Sequence, residues 1–349
     1  MNKIKTNFKF KKTAIIIGGG RMGQVYIYCL KKLKIRLLFV IEKSLKKKKE
    51  LRNNFLIDEK IILSSLNYSK LSTKPDLVII STTADTHFDF AKQAMKYNIR
   101  FILVEKPICR SLKECEKLIH LSKRSKSRIA VNHQMQYLEQ YKIIKKIANS
   151  KKFGGLKSMN VMAGNCGISM NITHYVEAFR FISDDTPMYI NGWIDKKKLK
   201  NPRGNKFKDF SGSIRIINKK GTRFYADVSH DQGHGLKVIY NCKIGQIYVD
   251  ELLGKVLLNY RKEKYSKLPT TRYAMPSKTE KLSIQPVNID ISTSKVIIGL
   301  LKNHKTYASM YNGIQAVKVI IASYQSDQNK NKTINFSLDV NSKTNFDWA

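Results

Sequence analysis

The sequence predicts a two-domain α/β protein, in which a doubly wound parallel sheet is followed by an α+β domain with an open, mostly antiparallel sheet. Three observations predict this fold. The chain has 349 residues, which is more than one hydrophobic core usually holds. Strands and helices alternate in its first part, whereas after Lys151 most predicted elements are strands joined by short turns. We place residues 1–132 in the first domain and residues 133–349 in the second.

The first domain begins with a short apolar strand over Ala14–Ile17 and an amphipathic helix over about Arg21–Leu33. Alternation of this kind is typical of a parallel sheet, whose ligands bind beyond the carboxyl ends of the strands. Further strands are predicted at Ile35–Ile41, Lys60–Leu63, Leu77–Ser81, Arg100–Val104 and Arg128–Val131, with helices near Phe88–Tyr97 and Leu112–Ser122. In the second domain, strands are predicted at Leu156–Ala163, Gly212–Ile217, Thr222–Ser229, Leu236–Asn241, Gln246–Val249 and Lys255–Tyr260.

Composition favours a soluble, cytoplasmic protein without membrane insertion. No apolar run approaches the ~20 residues of a membrane-spanning helix. The apolar stretch Ala14–Ile17 is shorter than the ~7–15 residues of a signal-peptide core. The five cysteines form no CxxC pair, which is typical of reduced thiols rather than of disulfides or a zinc site. They are Cys29, Cys109, Cys115, Cys166 and Cys242.

The net charge of +39 would usually indicate a nucleic-acid or anionic-membrane partner. We interpret it as a property of the solvated surface, because the lysines are spread along the whole chain and no helix-turn-helix or aromatic-rich basic sheet motif is evident. We therefore expect no nucleic-acid partner. The alternative, a nucleic-acid-associated protein, predicts tight binding with a steep salt dependence.

The hexapeptide GGGRMG at residues 18–23 stands between the first strand and the first helix, in the GxGxxG order of a dinucleotide-binding Rossmann domain. Gly18 permits the tight turn, Gly20 lets the backbone approach a pyrophosphate, and Gly23 allows the helix to pack closely on the strand. NAD or NADP is therefore the expected cofactor. The cofactor-binding residues predicted in this turn are Gly18, Gly20, Arg21, Met22 and Gly23.

Glu42 ends the second strand, 24 residues after Gly18, near the ~20 residues expected of an acid that binds the adenosine ribose. This position favours NAD. Lys43 and Ser44 follow at once and would suit a 2′-phosphate if the carboxylate turned away, so NADP stays open as an alternative. Glu42 could also be an ordinary charge at a strand end.

Two further polar stretches, residues 81–83 and 105–107, follow predicted parallel strands, so both should lie at the ligand-binding edge of the sheet. Lys106, which precedes a proline, is suited there to contact both cofactor and substrate. The alternative is an ordinary surface lysine, because the chain is rich in lysine. Glu105 either orients Lys106 or the nicotinamide ribose, or forms a simple ion pair.

Taken together, the glycine turn, STTADTH at residues 81–87 and VEKP at residues 104–107 resemble the glucose-fructose oxidoreductase and inositol dehydrogenase (Gfo/Idh/MocA) family. The resemblance resumes at residues 132–137, 164–177 and 313–326, and so touches nearly the full chain. It implies an NAD(P)-dependent oxidoreductase that moves a hydride to or from a secondary alcohol or ketone of a sugar, with Lys106 beside the nicotinamide. The cofactor residues implied at the strand ends are Ser81, Thr82, Thr83, His87, Glu105 and Lys106.

The same resemblance gives His174 a catalytic or substrate-orienting role. We expect His174 in the first turn of a helix, where the positive helix end keeps the ring neutral and able to act as a base near pH 7. Asn171 and Gln134 lie in matching stretches and are assigned to substrate binding, with a helix N-cap as the alternative for Asn171. A purely structural histidine is the alternative for His174.

Several residues depart from the family pattern. Met170 stands where the family has an aspartate four residues before the histidine, so Lys106 and His174 must share the acid–base work. Asn171 instead fits a branch found among surface-polysaccharide biosynthesis enzymes. The other departures are Gln136 for an expected arginine, Cys166 for an aromatic residue and Glu177 for an aspartate.

These departures leave two alternatives to a dehydrogenase or reductase. One is a cofactor-binding protein without turnover, and the other is a glycosidase that uses bound NAD as a transient oxidant. The resemblance also implies a homo-oligomer, a dimer or tetramer, built on the outer face of the second sheet. Neither the substrate nor the direction of the reaction follows from the sequence.

Overall fold

The computed structural model describes residues 11–198, 201, 203–268, 276–285, 287–302, 307–341 and 346–348. These residues form two compact units. The first contains the described residues up to Gln134 and those of 288–314, and the second contains those of 135–287 and 315–348. The division differs from the predicted one mainly in residues 288–314, which the structure groups with the first unit.

The helices are α1 Arg21–Leu33, α2 Leu45–Phe55, α3 His87–Lys96, α4 Leu112–Arg124, α5 Glu139–Ala148, α6 Thr173–Ser183, α7 Ile289–Leu301 and α8 Met310–Gln328. The strands of the first unit are β1 Thr13–Ile17, β2 Arg36–Ile41, β3 Ile62–Leu63, β4 Leu77–Ile80, β5 Phe101–Val104 and β6 Arg128–Val131. Those of the second unit are β7 Leu156–Gly164, β8 Pro187–Lys198, β9 Phe210–Asn218, β10 Arg223–Ser229, β11 Lys237–Cys242, β12 Gly245–Asp250, β13 Lys255–Arg261, β14 Ser277–Ser283 and β15 Ile334–Asn335.

The described part of the first unit contains a six-stranded, wholly parallel sheet in the order β3-β2-β1-β4-β5-β6. This is the order of a doubly wound dinucleotide-binding sheet, and the predicted fold class is confirmed for this half. Every residue of β4 and β5 is buried, so both faces of these strands are covered. Their continuous β-branched and leucine-rich sequences are typical of such strands.

The register of this sheet aligns the ends of its strands. Ile17 pairs with both Ile41 and Ile80, Val104 pairs with Ile80, and Val131 pairs with Val104. The residues that follow β1, β2, β4, β5 and β6 therefore lie on one edge, which we call the carboxyl edge. They are Gly18, Glu42, Ser81, Glu105 and Asn132.

Helix α7 returns the chain to the first unit and packs against α1. The thiol of Cys29 in α1 donates to the carbonyl of Asp290 at 3.4 Å, and the Arg128 guanidinium donates to the carbonyl of Leu300 at 3.3 Å. These contacts join residues that are far apart in the sequence, so no local sequence pattern predicts them. The predicted boundary therefore placed this segment in the second domain.

The second unit is built on a sheet of nine strands within the described residues, in the order β14-β13-β12-β11-β7-β10-β9-β8-β15. All neighbours are antiparallel except β7 and β10. The predicted open, mostly antiparallel sheet is confirmed. Alternate residues of β13 are buried and exposed, so one face of this strand is covered. On the covered face of the sheet, Phe179 of α6 packs against Phe224 of β10, with ring centroids 5.4 Å apart.

Two long strands of this sheet have no counterpart among the predicted elements, for physical reasons. Strand β8 contains Gly192, which breaks the alternation of apolar residues that predicts a strand. The backbone of this glycine lies against α8. A Cβ there would stand 2.5 Å from the carbonyl oxygen of Ser323, so only glycine allows this approach. Strand β14 is an edge strand of mostly exposed polar residues, and it carries no apolar pattern to detect.

A buried polar cluster joins the helices of the second unit to its sheet. Glu251, in the turn after β12, accepts hydrogen bonds from the hydroxyls of Tyr141 in α5, at 2.6 Å, and Tyr175 in α6, at 2.8 Å. Burial raises the pKa of Glu251 above its usual 4.5, and the two tyrosine hydrogen bonds oppose this shift without cancelling it. Ionisation of Glu251 is therefore less favourable in the folded protein than in water.

We expect Glu251→Gln to make thermal stability less dependent on pH. The folded-state pKa of Glu251 lies above its unfolded value near 4.5, so its ionisation increasingly opposes folding as the pH rises from that value through the folded-state pKa. Melting temperatures should fall less for the variant than for the wild type between about pH 5 and pH 8. The exposed Glu263→Gln controls for net charge, and parallel curves for wild type and Glu251→Gln would contradict the assignment.

Candidate functional site

The glycine turn at residues 18–23 is fixed by close backbone contacts. Gly18 has a φ of 101°, and a Cβ there would lie 2.7 Å from the carbonyl oxygen of Ser81. A Cβ at Gly23 would lie 2.0 Å from the carbonyl oxygen of Gly18. Both positions therefore require glycine, one for the turn and the other for the packing of α1 on the end of β1.

Gly20 differs from its neighbours because one side of it is open. It is the N-cap of α1, and among the described residues the only atom within 4 Å of a Cβ built on it, apart from its chain neighbours and the helix's own backbone, is Lys47 Nζ at 3.6 Å. Arg21, the next residue, is exposed, and Met22 is half-buried. An open glycine at a helix N-terminus, with an ammonium group beside it, fits the approach of a pyrophosphate.

Glu42 lies at the carboxyl edge and is buried. Its Oε2 accepts a hydrogen bond from the Gly19 backbone N–H and its Oε1 accepts one from the Ser44 N–H, each at 2.8 Å. The carboxylate therefore ties the glycine turn to the end of β2. Each oxygen keeps a second lone pair, so ribose hydroxyls can still bind to it.

The three polar residues that follow β4 all have hydrogen-bonded side chains. Ser81 Oγ donates to the carbonyl of Gly18 at 2.8 Å, so this side chain braces the glycine turn. Thr82 Oγ1 accepts from Thr86 Oγ1 at 2.7 Å, and Thr83 Oγ1 donates to Asp85 at 2.5 Å. All three predicted residues are half-buried, and the hydroxyl contacts of Thr82 and Thr83 stay within this short segment.

His87 begins α3 and is buried. Its Nδ1 lies 2.8 Å from the carbonyl oxygen of Pro107, and its Nε2 lies 3.1 Å from the carbonyl oxygen of Thr82. Which of the two carbonyls accepts a hydrogen bond depends on the tautomer of the ring. His87 thus ties the segment after β4 to the segment after β5, which explains its position beside the predicted cofactor residues.

Glu105 is the most heavily hydrogen-bonded residue at the end of β5. It is buried, and its Oε1 accepts from the Tyr26 hydroxyl at 2.5 Å and from the Asn132 amide Nδ2 at 2.7 Å. Lys106, the next residue, is half-buried and is joined to Pro107 by a cis peptide bond. Lys106 therefore lies between two anchored neighbours, Glu105 and the carbonyl of Pro107.

Gln134, which the resemblance assigns to substrate, has both ends of its amide engaged by α7. Its Nε2 donates to the Thr293 hydroxyl at 3.0 Å, and its Oε1 accepts from the Ser292 hydroxyl at 2.9 Å. These contacts join the end of the parallel-sheet segment to the returning helix. Each end of the amide keeps one further hydrogen-bonding position, a second N–H on Nε2 and a second lone pair on Oε1.

In the second unit, His174 is the second residue of α6 and lies in its first turn, as predicted. A π-helical turn over Ile168–Ile172 precedes α6, and the N–H groups of Asn171 and Ile172 both bond the carbonyl of Gly167. The His174 side chain is half-buried.

A residue that the sequence did not indicate, Asp209, holds the start of this helix. It is buried, and its carboxylate accepts the backbone N–H groups of Ser169 at 2.9 Å, Met170 at 3.0 Å and Phe210 at 3.0 Å. A Cβ at Gly167 would stand 1.8 Å from its Oδ2. Burial raises the pKa of Asp209, and the backbone hydrogen bonds oppose that shift. No motif surrounds it, so only the folded chain identifies it.

The other departures from the family pattern have local partners. Asn171 is exposed, and its Oδ1 accepts from the Gly167 N–H at 3.3 Å, so it is not the N-cap of α6. Glu177 is buried and forms a two-pronged ion pair with Arg180, with both N···O distances 2.7 Å. Arg180 also reaches Gln136 Oε1 at 3.5 Å, so a guanidinium lies beside the position where an arginine was expected.

No helix in the described part of the chain is long and apolar enough to cross a membrane. No group of three or more histidine, cysteine, aspartate or glutamate side chains in the same residues is arranged to hold a metal ion.

Comparison with known proteins adds two findings. A sequence profile of the Gfo/Idh/MocA family, described as "Oxidoreductase family, NAD-binding Rossmann fold", matches residues 12–133. No curated protein matches the sequence. The match covers all six strands of the parallel sheet and ends beside Asn132.

Solved structures share the fold over most of the chain. An oxidoreductase from Agrobacterium radiobacter, in complex with NAD+, L-tartaric acid and magnesium, has 15% identity and a TM-score of 0.75, covering 93% of this chain and 98% of that one. An aldose-aldose oxidoreductase from Caulobacter crescentus, complexed with glycerol, has 14% identity and a TM-score of 0.72, covering 93% and 99%. The transcriptional regulator Gal80p from Kluyveromyces lactis has 13% identity and a TM-score of 0.73, covering 94% and 95%.

We expect Gly23→Ala to destabilise the protein and Gly20→Ala to be tolerated. The first methyl group would lie 2.0 Å from a backbone oxygen that cannot move without displacing α1, whereas the second meets only the flexible end of Lys47. Urea denaturation should show a loss of about 1–3 kcal/mol in the free energy of unfolding for Gly23→Ala. For Gly20→Ala the change should be below about 0.5 kcal/mol. Equal stability of the two variants would contradict the described packing of α1.

Proposed function

We propose, from the premise that the chain belongs to the Gfo/Idh/MocA oxidoreductase family, that it is an NAD(P)-dependent enzyme acting on a sugar or sugar derivative. It moves a hydride to or from a secondary alcohol or ketone of that substrate. The observation that carries this proposal is the carboxyl edge, where an open glycine turn and an anchored lysine follow strands of one parallel sheet.

The first unit supplies the groups that a dinucleotide needs. Gly20 leaves space at the N-terminus of α1, where backbone N–H groups and the helix dipole favour phosphate. Glu42 lies at the end of β2, where a carboxylate binds ribose hydroxyls, and this supports NAD. Lys43 is exposed beside it and Lys47 Nζ lies near Gly20, and both would favour the extra phosphate of NADP.

In the proposed reaction, the transfer of one hydride is accompanied by the transfer of one proton, and a protein group must carry that proton. When bound, the nicotinamide accepts or donates the hydride at its C4 carbon. In the oxidative direction the substrate loses a hydride from carbon and a proton from the hydroxyl, so that a carbonyl forms. We assign the proton to Lys106 and His174, whose nitrogens can hydrogen-bond the oxygen and exchange a proton with it. In the reductive direction the same groups polarise the carbonyl and return the proton.

The chain's own residues also explain how Lys106 is presented. Glu105 is held by two hydrogen-bond donors and the carbonyl of Pro107 is held by His87, so the backbone on both sides of the lysine is anchored. An anchored backbone restricts where Nζ can reach, and restriction of a catalytic group is a large part of enzymatic rate enhancement.

A second candidate function is a dinucleotide-binding protein without turnover. It is supported by Met170, which lacks the carboxylate that the family resemblance leads us to expect, and by the use of the nearby Asp209 for capping backbone N–H groups. Both proposals share the glycine turn and Glu42. They differ in whether Lys106 and His174 take part in chemistry, and the variants below distinguish them.

We expect micromolar binding of NADH or NADPH that Gly20→Ala weakens by about tenfold or more, which corresponds to about 1.4 kcal/mol. The added methyl group fills the space that the pyrophosphate would use, although the unliganded protein accommodates it. Glu42→Gln should lower affinity for NADH more than for NADPH, because it removes the negative charge that opposes a 2′-phosphate. Fluorescence or calorimetric titration measures both effects.

Gly233→Ala is the matched control for this titration, since no atom of the described part of the chain, other than those of its chain neighbours, lies within 4 Å of a Cβ built on that exposed glycine of the second unit. Absence of binding for either nucleotide at millimolar concentration would overturn the oxidoreductase proposal. Undiminished binding by Gly20→Ala would overturn the assignment of the pyrophosphate to the glycine turn.

We expect Lys106→Met and His174→Asn each to reduce kcat by about 10²- to 10⁴-fold, the usual contribution of a general acid or base. Affinity for NADH should change little in His174→Asn, because His174 is not among the predicted cofactor residues. The readout is nicotinamide absorbance during turnover with a panel of aldoses, polyols and their keto forms.

The exposed residues Lys113 and His120, both in α4, give matched controls as Lys113→Met and His120→Asn. Full activity of Lys106→Met would overturn the role of that lysine. Saturable nucleotide binding without turnover of any substrate in the panel would favour the second candidate function.

A further inference from the structure

A buried carboxylate normally needs several hydrogen bonds to stay ionised, and Glu105 receives two of them on one oxygen. Only 7% of Glu105 is exposed. Its backbone N–H also bonds the carbonyl of Ile80 at 2.9 Å, which continues the pairing of β5 with β4 beyond the last strand residue. Glu105 is therefore fixed by both its backbone and its side chain.

Tyr26 brings its hydroxyl to Glu105 from the helix of the glycine turn. It lies in α1, three residues after Gly23, and is completely buried. Burial, and secondarily the charge of Glu105, raise the pKa of Tyr26 well above its usual value, so the phenol keeps its proton and acts as a neutral donor. At 2.5 Å, its contact with Glu105 has the length of a charge-assisted O–H···O bond.

Asn132 supplies the second donor from the neighbouring strand. It directly follows β6, its backbone N–H bonds the carbonyl of Val104, and its Nδ2 donates to Glu105 Oε1 at 2.7 Å. The amide oxygen on its other side is buried without a hydrogen-bond partner in the described part of the chain. Glu105 Oε1 therefore accepts two hydrogen bonds, one from a phenol and one from an amide.

We propose that Tyr26 and Asn132 are positioning residues, which hold the Glu105 side chain by two hydrogen bonds and thereby fix Lys106 at the carboxyl edge. The inference rests on the proposed function of Lys106. It goes further by linking the helix of the glycine turn to the residue that carries the proton.

The test compares Tyr26→Phe with Tyr68→Phe. Each variant removes one buried hydroxyl from the first unit, but that of Tyr68 has no hydrogen-bond partner among the described residues. Asn132→Leu, of similar volume, removes the other donor and gives an independent second variant. All variants are made in the full-length chain, and circular dichroism and thermal melting check that each one folds.

The first readout needs neither cofactor nor substrate. Lysines are reductively methylated with ¹³C-formaldehyde, and the Lys106 signal is assigned by its absence from Lys106→Met. Tyr26→Phe and Asn132→Leu should each move or split this signal, whereas Tyr68→Phe should leave it unchanged. An unmoved Lys106 signal in both folded variants overturns the proposal, even if the wild type shows no turnover.

The second readout is kinetic. In Tyr26→Phe, kcat should fall by about tenfold or more through loss of alignment, while KM and the NADH dissociation constant stay within about threefold. An unchanged kcat overturns the positioning role. An inactive wild type whose Lys106 signal still responds overturns the proposed function alone.

Discussion

The close contact between Gly23 and the carbonyl oxygen of Gly18 sets the arrangement of the whole candidate site. Because a Cβ there would stand 2.0 Å from that oxygen, α1 can begin in only one place relative to the end of β1. Two consequences follow from this one constraint. The N-terminus of α1 leaves Gly20 open on the side where a phosphate would bind, and Tyr26, nearly one turn further along, reaches Glu105 across the edge of the sheet.

The same edge shows that anchoring is distributed over several elements. Ser81 braces the turn from β4, Glu42 holds it from β2, and His87 joins the segment after β4 to that after β5. No single one of these contacts is strong on its own, since a typical hydrogen bond contributes only about 0.5–1.5 kcal/mol to stability. Together they leave the backbone around Lys106 little freedom, and a proton carrier needs a fixed position more than it needs strong binding.

How much of this was predictable depends on whether the cause is local. The glycine turn, the parallel strands and the edge residues Glu42 and Glu105 follow from short-range patterns, because apolar runs and glycine spacing act within one βαβ unit. Asp209 was missed because it caps a helix 40 residues before it in the chain, and the return of α7 because only tertiary contacts define it. Strand β8 was missed because Gly192, which breaks its pattern, serves a neighbouring helix.

The many lysines of the chain do not supply the hydrogen bonds described for the acids of these sites. Glu42, Glu105 and Asp209 are buried acids, and the hydrogen bonds described for them come from backbone N–H groups, a phenol and an amide. A neutral donor stabilises a carboxylate without cancelling its charge, whereas a buried ammonium would have to lose its own hydration first. The acids at the carboxyl edge are therefore bound by neutral donors even though the chain carries +39. A lysine held at that edge is distinguished from the other lysines by its anchored backbone rather than by its charge, and this is the physical basis for assigning the chemistry to Lys106.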